Sequence, residues 1–385
     1  MVILSYLLMV KYLVQSQKII NIYKMNDYKK DFPFIKTKVK GLKKSFDFTG
    51  PADRKKYFRA KVGQEIDLLK KYFKKNTFIA YFLGKKNSGK GTYTKLMIEI
   101  FGQDKIGHIS VGDIIRTVHR DLLDKKRKKE LMDYLNRNYR GYISLEESIN
   151  SLLSREAKML LPTEFILTLI KREIDKMPEK TLFIDGFPRE LDQISYSLFF
   201  RDLINFRGDS DIFVAIDIPE SVIDARMKGR VVCPKCQTPR GLELLPTKEI
   251  GYDEKTKEFY LICDNPECQD ARMVAKEGDN MGIESVRERL NLDGQLIDKV
   301  FSLHGIPKIL LRNTIPVKIA RKYIDDYEIT PKYSYQFDSK TEKIKVDQKP
   351  WIAKDDEGQE IYSLFAPPVV VGLVKQLVDL LKLKK

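Results

Sequence analysis

The sequence predicts an α/β protein built on a doubly wound parallel sheet. Two observations carry this. Short apolar strands at 77–83, 181–184 and 212–216 alternate with stretches of helical spacing, and the first strand runs into a glycine-containing loop that opens an apolar-periodic helix near Lys90. The chain has 385 residues, 43% of them hydrophobic, enough for a buried core and more than one domain. A formal net charge of +16 favours anionic partners: nucleic acid, a membrane surface or phosphate compounds. The lysines are spread over the whole length, so much of that charge is solvated surface.

Residues 1–14 are apolar but too few to span a bilayer, and they lack the basic start and small-residue cleavage site of a secretion signal. A weak anchor, a packed terminal segment and translated sequence upstream of a start at Met25 are the open readings. A cytosolic protein without a membrane span is expected. Residues 25–52 are basic and polar. In 53–75, Phe58, Val62, Ile66, Leu69 and Phe73 recur at helical spacing, predicting a helix that packs on the domain after it. Further on, Ser144 and Glu147 have the spacing of a capping box. The stretch 231–280 breaks the strand–helix alternation and reads as an inserted module. Hairpin strands are expected around 333–337 and 351–364, and Pro367-Pro368 opens a closing helix.

The loop after the first strand reads Gly84-Lys85-Lys86-Asn87-Ser88-Gly89-Lys90-Gly91-Thr92. In such a loop successive backbone N–H groups wrap a phosphate, and the helix N-terminus adds partial positive charge. Lys90 is placed to reach the β- and γ-phosphates of a nucleotide, and Thr92 to help place Mg²⁺. A bare strand-to-helix turn is the competing reading; strand, loop and helix in this order favour phosphate.

The four cysteines form two pairs, Cys233/Cys236 and Cys263/Cys268. Without a convincing secretion signal this pattern points to metal rather than disulfides, and to a structural tetrahedral Zn²⁺ site whose four thiolates leave no position open. Four unlinked thiols are the plainer alternative. A zinc ribbon can also bind nucleic acid, so the module alone does not settle function.

With its Gly-Lys-Gly-Thr ending at 89–92, the loop resembles that of the adenylate kinase and nucleoside monophosphate kinase family. Three further segments resemble the family in order: Ser110-Val111-Gly112-Asp113-Ile114-Ile115-Arg116, Asp185-Gly186-Phe187-Pro188-Arg189, and Arg226 to Arg230 with Arg287-Glu288-Arg289 after the cysteine module. The likeness runs from about 77 to 303 and resumes in the last helix. It implies a P-loop NTPase core at 77–110 and 162–230, a monophosphate-binding insert at 111–161 and a zinc lid at 231–280. An N-terminal extension, 1–76, precedes these. Core helices at 281–385 follow, with an inserted β-rich segment at about 303–365.

The resemblance also implies roles. Gly84, Asn87, Ser88, Gly89, Lys90, Gly91, Thr92, Arg226 and Arg230 would hold ATP. Asp185 would order Mg²⁺ through water. Val111, Arg116, Leu161, Gly186, Arg189, Gln193 and Arg287 would hold the monophosphate substrate, with Gln193 reading adenine. Lys90, Arg116, Arg189, Arg230, Arg287 and Arg289 would stabilise the transferring group.

Three departures stand out. Asn87 and Val111 replace the family's usual glycine and threonine. Near 276–280 the family expects an arginine and an aspartate pair, where this chain offers Arg272, Lys276, Asp279 and Asn280. The stretch 116–161 is longer than usual, and its basic run at 125–129 reads as a solvated helix face. His108, His119 and His304 are read as structural or surface residues. The expected activity is ATP:AMP phosphotransfer by a monomer using ATP, Mg²⁺ and a structural Zn²⁺, with small-molecule nucleotides as partners and no obligate nucleic acid. A UMP/CMP kinase of the same fold and a nucleic-acid-binding P-loop/zinc-ribbon protein are the alternatives.

Overall fold

The computed structural model describes residues 32–154, 161–191, 193, 194, 196, 210–276, 279 and 281–384. The apolar run at 1–14, Met25 and Asn280 lie outside them.

Helix α1 (Pro51–Tyr72) leads into β1 (Phe78–Gly84), α2 (Lys90–Phe101) and β2 (Ile106–Ser110). Next come α3 (Val111–Leu123), α4 (Lys125–Asn138), α5 (Leu145–Leu153), α6 (Thr163–Asp175), β3 (Thr181–Asp185), β4 (Ser210–Asp217) and α7 (Glu220–Lys228). Then follow the short strands β5 (Arg230–Val232), β6 (Pro239–Gly241), β7 (Ile250–Asp253), β8 (Glu258–Leu261) and β9 (Val274–Ala275), and α8 (Arg287–Phe301). The chain closes with β10 (Lys308–Arg312), β11 (Thr314–Pro316), α9 (Val317–Tyr323), β12 (Pro331–Asp338), β13 (Lys343–Pro350), β14 (Ile352–Lys354), β15 (Glu360–Ser363) and α10 (Ala366–Leu380).

The central sheet is parallel with order β2-β3-β1-β4-β10. Strand β1 shows why both faces must be covered. Phe78, Ala80 and Phe82 join one cluster with residues of α1, α2 and α10, whereas Ile79, Tyr81 and Leu83 join a second with residues of α3, α6 and α8. Side chains alternate along a strand, and a parallel sheet is stable only when helices bury both its faces. All five apolar residues expected to form one face of α1 are buried. The capping box at Ser144 and Glu147 is present with both its hydrogen bonds. Residues 125–129 are exposed, a solvated helix face as expected.

The stretch 303–365 differs from the inserted segment expected of it. Its first strand, β10, is the fifth strand of the central sheet, paired with β4. Five residues flanked by Pro307 and Asn313, at a sheet edge with one neighbour, carry too little pattern to be separated from a loop. Beyond it the expected hairpin strands are present: β12 pairs with β13, and β14 with β15, which also pairs with β11. Strand β13 reads Lys-Ile-Lys-Val-Asp-Gln-Lys-Pro and is mostly exposed, so its weak apolar alternation gave little strand signal. No described helix is long and apolar enough to cross a membrane.

Candidate active site

The carboxyl ends of the sheet strands meet at one edge. Register places Asp185 opposite both Phe82 of β1 and Ser110 of β2, so the phosphate loop, the start of α3 and the loop after β3 share one rim. Ligands of doubly wound sheets bind at this carboxyl edge, where the strand order reverses. A cleft of about 2150 Å³ opens here; Asn87–Thr92, His108, Asp185 and Arg230 are among its lining residues.

The loop has the geometry a phosphate cradle needs. Asn87 adopts φ 65° and Gly89 φ 103°. Asparagine tolerates the left-handed region better than most residues, which is how it stands where the family has glycine. At Gly89 a side chain would be strained by φ and would also lie 2.8 Å from the Tyr93 ring. The Lys90 ammonium folds back over the loop, donating to Gly84 O at 2.7 Å and Lys85 O at 3.2 Å, 3.9 Å from Asp185.

Two arginines converge at the start of α3. A Cβ built on Gly112 would sit 3.6 Å from an Arg116 amino group and 3.8 Å from one of Arg189, so both guanidinium groups border the start of α3. Arg116 is exposed and pairs with Asp113. Arg189 is half-buried, and desolvation pulls its pKa below the usual value, with Arg289 and Arg116 adding to the effect. Val111 is buried beside Gly186, whose added Cβ would lie 3.4 Å from that of Val111. Leu161 packs at the edge of the same apolar cluster. Gln193 is 1% exposed, and its amide is held from both ends: Oε1 accepts from the Arg189 backbone N–H at 2.8 Å, and Nε2 donates to Thr163 Oγ1 at 3.0 Å.

A third group of cations arrives with α7 and the strands after it. Arg230 bonds to Asn87 Oδ1 and Asp279. Arg226 donates to Asn87 O at 3.2 Å, Asn313 Oδ1 at 3.1 Å and Ser363 Oγ at 3.2 Å. Its guanidinium is thus committed to protein, tying the loop to β15, rather than lying open as a platform for a base. Lys86 and Lys276 join this group. Burial is the main cause lowering both pKa values, and Arg230 bears on both. Arg289 pairs with Asp293 at 2.8 Å; burial raises the pKa of that carboxyl, while Arg289, Lys90 and Arg189 hold it down.

Arg287 is bonded to Glu284 and, at 2.9 Å, to Glu220, whose other oxygen pairs with Lys85 of the loop at 3.0 Å. Sequence reasoning left Lys276 and Asp279 without register, and it missed Asp293 and Thr163. None of these has a motif of its own; only the fold brings Lys276 and Asp279 to Arg230, Asp293 to Arg289 and Thr163 to Gln193. His108, read as structural, lines the cleft, and burial lowers its pKa most.

These cations suit a polyanion. Asn87 Nδ2 and Arg189 Nε are buried donors without a hydrogen-bond partner among the described residues. Unmet buried donors beside crowded, partly desolvated cations are what nucleotide phosphates would satisfy.

The ligand atoms of Cys233, Cys236, Cys263 and Cys268 all lie within 4.8 Å of one another, with Cys236 and Cys263 sulfurs 3.7 Å apart. A tetrahedron with Zn–S bonds of about 2.3 Å has edges of about 3.8 Å, so the sulfurs fit zinc. A hydrogen bond with Thr238 is the chief cause lowering the Cys236 thiol to about 6, while burial and the neighbouring sulfurs push Cys268 up to about 12. Four crowded thiols resist ionising together, and a divalent cation removes that resistance.

No protein-family model matches the chain. Its sequence is, however, similar to named enzymes. It is 33% identical over 234 residues to the adenylate kinase of Thermotoga petrophila, covering 60% of this chain and 87% of that protein. It is 30% identical over 211 residues to that of Clostridium acetobutylicum, covering 54% and 79%. The adenylate kinase of Staphylococcus epidermidis is 29% identical over 213 residues, covering 55% and 79%. With a parallel α/β sheet, a phosphate-type loop at its carboxyl edge and these relatives, the chain belongs to the adenylate kinase family of phosphotransferases.

Proposed function

We propose that the chain transfers a phosphoryl group reversibly between ATP and AMP, giving two ADP. The observation that carries this reading is the convergence of Arg116 and Arg189 at Gly112, with Arg189 and Lys90 both acting on Asp293. One cation cluster suits a monophosphate and the other the phosphates of a donor. Phosphoryl transfer asks little covalent chemistry of a protein. It needs two nucleotides in line, cations on the transferring group and water kept out.

In this reading residues 84–92 and Arg230 hold the donor phosphates, and Lys90, Arg189 and Arg289 stabilise the transferring group. Asp185 orders Mg²⁺, which supplies charge neutralisation between the phosphates. Residues 111–161 form the monophosphate insert. The 231–280 module is the lid, braced by structural zinc. Arg287, turned toward Glu220 and Glu284, is the least engaged of the expected residues.

Gln193 supports AMP as the acceptor. After its bonds to Arg189 and Thr163 the amide keeps one N–H and one lone pair, a donor–acceptor pair able to match the adenine edge. An unmatched buried polar group costs about 1–3 kcal/mol, roughly ten- to a hundredfold in specificity. Val111 offers no hydrogen bond, so discrimination should be weaker than with threonine there. A coupled assay with ATP, Mg²⁺ and each of AMP, GMP, CMP and UMP should give the highest kcat/KM for AMP. A higher value for CMP or UMP would move the acceptor within the same fold. Absence of transfer to any of them, with co-purifying nucleic acid, would overturn the kinase reading.

Asn87 gives a second test. Restoring the family residue with Asn87→Gly removes the acceptor that holds Arg230 to the loop. Losing a charge-assisted hydrogen bond should raise the KM for ATP by about tenfold. An unchanged KM would show that Arg230 needs no such anchor.

A further inference from the structure

The hairpin β12–β13 leaves the core and lies against the cysteine module. Tyr333, Tyr335 and Phe337 share one half-buried face of β12, the face set by strand alternation. That face meets the module at several points. The Tyr333 backbone N–H donates to Glu243 O at 2.7 Å, and the Tyr335 hydroxyl donates to Leu242 O at 2.6 Å. The Phe337 ring stacks on Tyr252 at 4.2 Å, Tyr335 packs against Phe259 at 5.5 Å, and Lys332 pairs with Glu243 at 2.9 Å.

The hairpin's base is fixed to the core. Thr330 N–H donates to Ser363 O at 2.8 Å, and Glu328, fully buried, accepts from Tyr57 at 2.6 Å with Lys61 3.6 Å away. The module is therefore held at two places: through Arg230 on Asn87 of the phosphate loop, and through Leu242, Glu243 and Tyr252 on a rooted hairpin.

We propose that Tyr335 and Phe337 are positioning residues for phosphoryl transfer. They hold the cysteine module over the phosphate loop and so set how often the donor site is closed. This rests on reading the module as the lid. Lids in this family must open to exchange nucleotides and close to exclude water, so a contact made in one position shifts that balance by its own worth. The contacts here accompany the position in which Arg230 touches the loop, and they favour closure.

The test is the double variant Tyr335→Phe, Phe337→Ala in the full chain, read by steady-state kinetics and by hydrogen exchange of residues 230–276. The expected result is a KM for ATP raised at least about threefold, with the KM for AMP unchanged and kcat unchanged or higher. Exchange in 230–276 should be faster, with that of the central sheet unchanged. Phe337→Tyr, which keeps a ring on Tyr252, should retain the wild-type KM. Unchanged exchange and unchanged KM for ATP would overturn the proposal. So would a fall in kcat alone, which signals only lost folded protein. If the wild-type chain transfers no phosphoryl group, the functional reading fails, and the exchange data still decide whether the hairpin holds the module.

Discussion

Lys90→Met is expected to lower kcat by about 10²–10³-fold with the fold intact, because losing one preorganised charge at developing transition-state charge typically costs that much. The Lys90 ammonium is held by carbonyl oxygens of its own loop and lies 3.9 Å from Asp185. It is thus fixed over the cradle before any nucleotide arrives, and no reorganisation is needed during transfer. Methionine keeps most of the apolar stem and removes the charge together with the ammonium's bonds to Gly84 O and Lys85 O. The loop's shape rests elsewhere, on the positive φ of Asn87 and Gly89 and on buried Ser88. Near-normal turnover by a folded Lys90→Met protein would refute the role. Thermal unfolding and circular dichroism on the same sample separate lost chemistry from lost fold.

What was readable beforehand, and what was not, divides along physical lines. The loop between β1 and α2 was readable because its positive-φ positions, Asn87 and Gly89, demand particular residues at fixed spacing. Helix α1 was readable because its buried residues repeat at helical spacing along an otherwise charged segment. The clustering of the four cysteines was readable because so rare a residue type recurs in two close pairs within one stretch. Strand β10 was not, since its place at a sheet edge depends on β4, about a hundred residues upstream. Nor were Lys86, Lys276 and Asp279 separable from the many surface charges of so basic a chain. Their placement beside Arg230, with Asp279 buried, comes from how the module folds back over the loop. The commitment of Arg226 to Asn313 and Ser363 was hidden for a related reason: both partners lie in a stretch that has no counterpart in the family pattern.

Protein purified without chelator is expected to carry one Zn²⁺ per chain, and removing it should unfold the cysteine module before the sheet. The module has little core of its own. Its strands are two to four residues long, and its apolar cluster is built largely around three of the cysteines themselves, with Leu261 and Met273. Small domains with so little core depend on staples, and structural zinc in zinc-finger peptides is worth about 10–16 kcal/mol. Cys233→Ser should therefore abolish stoichiometric zinc and speed hydrogen exchange throughout 231–276, while β1, β3 and β4 keep their protection. Activity should fall through a raised KM for ATP, because Arg230 enters the module at its first strand and depends on it for position. Binding of inorganic phosphate at the loop, which rests on 84–92 alone, should survive. Metal analysis finding no zinc in the wild-type protein would refute the claim, as would a Cys233→Ser module that exchanges as slowly as the wild type.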